Sequence, residues 1–115
     1  AGAVLAEQAR RAARTSVAVV AVGETAPDGR LRFAVEDLFG AGAIVDALTA
    51  RGIDHTAPEA AAAAEAFRGL RGALRHLLTA SGSGQELLDR GGRDEVLHAA
   101  ELDATDAVPA LFAPR

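Results

Sequence analysis

The apolar positions of the chain follow two periodicities. From Val17 to Val22, VAVVAV, they are continuous and β-branched, the pattern of a short strand covered on both faces. Elsewhere they recur every three or four residues and predict helices. Val4, Leu5, Ala9 and Ala12 mark a helix over Ala3–Arg14, with Arg10, Arg11 and Arg14 outward and Thr15-Ser16 ending it. Leu38, Ala41, Val45 and Leu48 form the buried stripe of a central helix over Ala34–Ala50, which Arg51-Gly52 closes. After a connection over Ile53–Ala57, Ala63, Phe67, Leu70, Leu74 and Leu77 share one face of a long helix running to about Ala80. Thr56 is placed to cap that helix, with Pro58 and Glu59 in its first turn.

Between and after these elements the breaks are clear. Gly23 to Arg32 is a loop turning through Pro27-Asp28-Gly29. Ser81-Gly82-Ser83-Gly84 interrupts the helices, and Ser83 with Glu86 three residues on predicts a capping box for a short helix. Gly91-Gly92 stops it, and Asp94 starts another through Leu102. Ala107–Phe112 reads as a second strand, with Pro109 at an edge or bulge. The inventory of about five helices and two strands predicts an α/β fold. Two strands form a marginal sheet, and a helix feeding directly into a buried strand is half of a βαβ unit. The 115 residues therefore read as one domain, or as the C-terminal part of a larger one.

Composition narrows the function classes. Half the residues are apolar, but many are alanine and the aromatics are four Phe, so close helix packing fits better than a thick sandwich. A net charge of −4 argues against a nucleic-acid partner. All 12 basic residues are Arg, which biased codon usage explains in an alanine-rich chain. With no cysteine, disulfides, thiolate metal sites and cysteine nucleophiles are excluded. No apolar run approaches the ~20 residues of a membrane span, and the N-terminal stretch lacks a signal-peptide pattern. A cytoplasmic protein is expected.

Candidate chemistry concentrates on the central helix. Glu36 and Asp37 are adjacent carboxylates in its first turn, and Gly40 lies four and three residues beyond them on the same helix surface. Gly40 and Gly42 each cost roughly 1 kcal/mol relative to alanine, so a close approach to the backbone is expected there. One or two carboxylates with waters and phosphate oxygens suffice for Mg²⁺. The helix dipole also favours first-turn acids with no further role. Gly23 and Glu24 stand where the apolar strand ends, the edge at which α/β folds bind ligands, although Glu24 also suits a solvated loop. His55, His76 and His98 lack zinc-site spacing and carry no role. The Ser-Gly-Ser-Gly stretch lacks the spacing and lysine of a P-loop.

VAVVAVGE followed by a turn and EDLFGAGAIVDAL resembles the 2-phosphosulfolactate phosphatase family, in which a strand ends in Gly-Glu and an Glu-Asp-x-x-Gly-Ala-Gly-Ala helix follows. The closing segment SGQELLDRGGRDEVLHAAELDATDAVPAL is similar in order and spacing, so the likeness covers most of residues 16–111. It implies a three-layer α/β/α phosphatase fold, of which this chain is an incomplete, helix-rich C-terminal portion. It also implies a Mg²⁺-dependent hydrolase acting on a small phosphorylated substrate, 2-phosphosulfolactate, in the manner of coenzyme M biosynthesis. Carried over, Glu36 and Asp37 are catalytic and metal-binding carboxylates, while Gly23, Glu24, Gly40 and Gly42 contact substrate. A homo-oligomer is compatible with this reading. Thr25 stands where the family usually has a basic residue, and no Asp-Val-Leu-Arg-Ala-Thr-type motif is present. A non-catalytic α/β scaffold or partner-binding module is the alternative.

Overall fold

The computed structural model describes residues 2–11 and 16–111. Its helices are α1 (Gly2–Arg11), α2 (Val35–Thr49), α3 (Pro58–Leu70), α4 (Leu74–Ala80), α5 (Gly82–Asp89) and α6 (Arg93–Ala99). A 3₁₀ turn, Arg71–Ala73, separates α3 from α4. Strands β1 (Glu24–Thr25) and β2 (Leu31–Arg32) form a two-stranded antiparallel sheet with Glu24 opposite Arg32 and Thr25 opposite Leu31. The result is a helix-rich α/β chain; a three-layer sandwich is not what the described residues form.

The strands are not those that the hydrophobic pattern predicts. Val17–Val22 joins no ladder among the described residues, and Val20 and Val22 are 77% and 68% exposed. A β-branched run favours extended backbone by itself, yet a strand exists only where a neighbour accepts and donates its hydrogen bonds. Residues 107–111 likewise form no strand and are exposed, while Phe112 lies outside the described residues. The sheet instead grows from the Pro27-Asp28-Gly29 turn. The Gly29 N–H donates to the Ala26 carbonyl at 2.8 Å and the Arg30 N–H to Asp28 Oδ1 at 3.1 Å, which closes the hairpin locally.

Packing of α2 on α3 organises the molecule. Phe39 of α2 and Phe67 of α3 join Leu74 and Leu78 of α4 and Val96 of α6 in one core. Phe39, Gly42, Val45 and Leu48 form the buried stripe of α2; Leu38 and Ala41 are only half-buried, a rotation of one residue from the predicted face. The two helices meet at Gly42, where a Cβ would lie 2.1 Å from the Ala63 carbonyl oxygen. Opposite it, Ala63 and Ala64 are buried and small. Alanine content here serves a close helix crossing, as the composition suggests. Arg68 ties the same pair together at the surface, 2.5 Å from Asp46.

The long helix predicted over 58–80 is broken. Leu70 is exposed rather than buried, and the 3₁₀ turn between Gly69 and Ala73 redirects the chain so that Leu74 and Leu78 reach the core. Two glycines within four residues weaken the helix at this point. Thr56 is not the cap; Ala57 precedes Pro58 in extended conformation without a side-chain bond. Helix α6 ends at Ala99, leaving Leu102 exposed. The first helix ends at Arg11 among the described residues, and the predicted extension through Arg14 and the Thr15 break lie outside them.

Gly40 and Gly42 make opposite predictions. Nothing lies within 4 Å of a Cβ at Gly40, so Gly40→Ala should stabilise by up to about 1 kcal/mol. Gly42→Ala should destabilise by about 1–3 kcal/mol despite its better helix propensity, because backbone must move. Urea unfolding of the two variants checks both signs.

Candidate functional site

The β-hairpin and the N-termini of α2 and α5 converge. Gly23 adopts φ +74°, and a Cβ there would lie 2.7 Å from the Arg32 carbonyl, so the position suits glycine on both counts. Its N–H donates to Asp37 Oδ2 at 2.5 Å, tying the start of the hairpin to the first turn of α2. One oxygen of Asp37 is thus committed to the fold.

Across the hairpin, Arg32 collects three carboxylate contacts. Its Nη2 donates to Glu24 Oε2 at 2.5 Å and to Glu86 Oε2 at 3.1 Å, and its Nη1 donates to Glu86 Oε1 at 2.7 Å. Ser83 Oγ donates to the same Glu24 oxygen at 2.8 Å. The Arg32 and Ser83 hydrogen bonds hold the Glu24 carboxyl below its ordinary range. The Arg32 contact does the same for Glu86, and the two acids together raise the guanidinium further.

Ser81, not Ser83, caps α5. Its Oγ accepts from the Gly84 N–H at 3.0 Å and donates to the Leu78 carbonyl at 2.8 Å. Capping from Ser81 frees Ser83 and Glu86 to face the hairpin instead of closing a capping box. Gly84 is buried, with a Cβ position only 1.9 Å from the Leu78 carbonyl, so α5 folds back tightly on α4.

These elements enclose a cavity of about 260 Å³ lined by Arg32, Phe33, Glu36, Ser81, Gly82 and Ser83 together with Ala34 and Val35. Glu36 Oε2 is buried without a hydrogen-bond partner. A larger hollow, about 410 Å³, runs along α1, but among the described residues α1 alone lines it and no polar groups from other elements converge there.

Of the residues singled out in the sequence, Glu36 lines the cavity, and Glu24 joins it through Arg32 and Ser83. Gly23 and Asp37 are bonded to one another beside it. Gly40 faces open space, and Gly42 is accounted for by contact with α3 rather than with a ligand. Ser81, Ser83 and Glu86 entered the sequence reading only as a helix break and its cap, and Arg32 only as the end of a loop; none was a site candidate. The only signal for them was charge alternation: Glu24 and Arg32 flank a turn at the right separation to pair across a hairpin.

A family model for 2-phosphosulpholactate phosphatase matches residues 1–113, essentially the whole chain. The chain belongs to this family. No curated protein and no solved structure matches it. The 2-phosphosulpholactate phosphatase family is one of hydrolases by class. Among the described residues, no helix is long and apolar enough to cross a membrane, and no three His, Asp or Glu side chains gather as a metal cluster.

Because Glu24 and Glu86 titrate below their ordinary value of 4.5 in the folded chain, the link from hairpin to α5 is at full strength above that value. It is lost as pH falls through the lowered values. Protection factors of the Ala26 and Gly84 amides, which donate to the Arg30 carbonyl and to Ser81 Oγ, should therefore fall below about pH 4, and Arg32→Ala should produce the same loss at neutral pH. Protection factors of the two amides that do not change on acidification would remove the ion pairs from the fold's support.

Proposed function

We propose that the protein is a Mg²⁺-dependent phosphoric monoester hydrolase that releases phosphate from a small phosphorylated sulfo-carboxylic acid, 2-phosphosulfolactate, in a cytoplasmic route of the coenzyme M type. The observation that carries the reading is Glu36, which lines a cavity shared with Arg32 and has one oxygen buried with no hydrogen-bond partner among the described residues. A buried carboxylate oxygen without a donor is costly and calls for a cation or a proton donor.

Charge supports a divalent ion. Around the cavity, Glu24, Glu36 and Glu86 outnumber the single guanidinium of Arg32. A dianionic phosphate entering alone would be repelled. Glu36 and the uncommitted oxygen of Asp37 are the residues that would hold Mg²⁺, which needs no full protein cage. Bound there, the ion would neutralise phosphate charge and polarise the ester. Glu36 supplies its free oxygen from the first turn of α2, and the Gly23–Asp37 bond fixes the direction of that turn. Phe33 lines the cavity while remaining 72% exposed, in position to shed water when a ligand enters. The volume of about 260 Å³ lies below the range of drug-sized pockets and matches a compact acid. Whether this chain acts alone or as the C-terminal part of a larger α/β domain, these same elements form the proposed site.

Calorimetric titration with Mg²⁺ and assay of phosphate release test the reading. Glu36→Gln should weaken Mg²⁺ binding by more than about tenfold, since even supporting residues of metal sites contribute that much. It should leave the fold intact, because Oε2 has no partner to lose. Asp37→Asn retains an acceptor for the Gly23 N–H but removes the charge, and should abolish phosphate release without unfolding. Wild-type Mg²⁺ affinity in both variants would sink the proposal.

A further inference from the structure

Arg32 borders the cavity with part of its edge already occupied. Glu86 reaches it from α5 with both carboxylate oxygens, one on each terminal nitrogen. This two-pronged grip is how arginine generally holds an oxyanion. Glu24 engages differently, through one oxygen that Ser83 also bonds, and from the position directly opposite Arg32 in the sheet. The two acids are therefore not equivalent. Glu24 is fixed by strand register and a second hydrogen bond. Glu86 has a side chain 46% exposed, and among the described residues its hydrogen bonds go to Arg32 alone.

We propose that Glu86 is a resident stand-in for ligand. In the free protein its carboxylate occupies the seat that the non-reacting acidic group of a small substrate takes at Arg32, and it withdraws when that group arrives. Glu24 and Ser83 keep the guanidinium aimed during the exchange. The identity of the substrate rests on the phosphatase reading; the existence of the seat does not.

Three features favour the non-reacting group over the phosphate. Glu36, with its free oxygen, lines the same cavity and would repel a phosphate not neutralised by a cation. A sulfonate or carboxylate carries half the charge of a phosphate dianion, is repelled correspondingly less, and reproduces the two-oxygen geometry of Glu86 directly. An exposed ion pair is also weak enough to be displaced by a ligand held at other points. Arg32 is then a positioning residue: it orients the molecule in the cavity and takes no part in bond cleavage.

The test uses the full chain and methanesulfonate as probe, without Mg²⁺, followed by the amide and arginine side-chain resonances of Arg32, Gly82 and Ser83. Glu86→Gln should tighten methanesulfonate binding by roughly two- to fivefold, the range set by loss of an exposed ion pair. Glu59→Gln removes the same charge from the first turn of α3 and should change nothing. Arg32→Lys keeps the charge but not the fork, and should lose the gain when combined with Glu86→Gln. Equal tightening in Glu59→Gln, or an unchanged affinity in Glu86→Gln, would overturn the proposal. So would binding of inorganic phosphate in the presence of Mg²⁺ that shifts Arg32 while methanesulfonate does not. Methanesulfonate binding with these signatures in a chain lacking phosphatase activity would keep the seat and reject the hydrolase reading.

Discussion

The guanidinium of Arg32 joins the hairpin to α5, two segments far apart in the chain. It sits in a two-residue strand that pairs only with Glu24-Thr25, and such a hairpin is marginal on its own. Contact with Glu86, 54 residues away, pins the hairpin to α5, and the Ser83 hydroxyl adds a second link through Glu24. Individually these are partly exposed ion pairs of modest worth. Their effect is geometric. They set the hairpin against the α5 N-terminus and thereby create the cavity that Glu36 lines from α2.

The helical body tolerates this arrangement because it is built from small residues. At Gly42 the backbone of α2 approaches the Ala63 carbonyl closely, and at Gly84 α5 turns back against the end of α4. With Phe39 and Phe67 as the large side chains at the α2–α3 contact, helix proximity compensates for a shortage of bulk. The two glycines of α2 thus serve different ends, although the sequence presents them as a pair. One is required by packing, and the other leaves an open surface beside the paired carboxylates.

Function follows from the same division. The 2-phosphosulpholactate phosphatase family match spans residues 1–113, and the features that make chemistry plausible occupy one corner of the structure. There a carboxylate oxygen is left buried without a partner and a guanidinium is shared by two acids. A fold seldom leaves a carboxylate oxygen unsatisfied without use for it.

What the sequence determined by itself was local. Helical periodicity placed α2 and α6 to within a few residues, serine and glycine breaks bounded α5, Pro58 marked the start of α3 although not its end, and Pro27-Asp28-Gly29 marked the turn. Each of these depends on interactions within a few positions along the chain. The VAVVAV run predicted a buried strand that does not form among the described residues, since pairing requires a partner that propensity cannot supply. Only the tertiary structure decided that Ser81 rather than Ser83 caps α5, that Gly42 faces Ala63, and that Asp37 holds the Gly23 amide. It also brought Arg32 to Glu86. The physical reason is that periodicity records which face of an element is apolar, whereas contacts across 14 or 54 residues depend on how those faces dock.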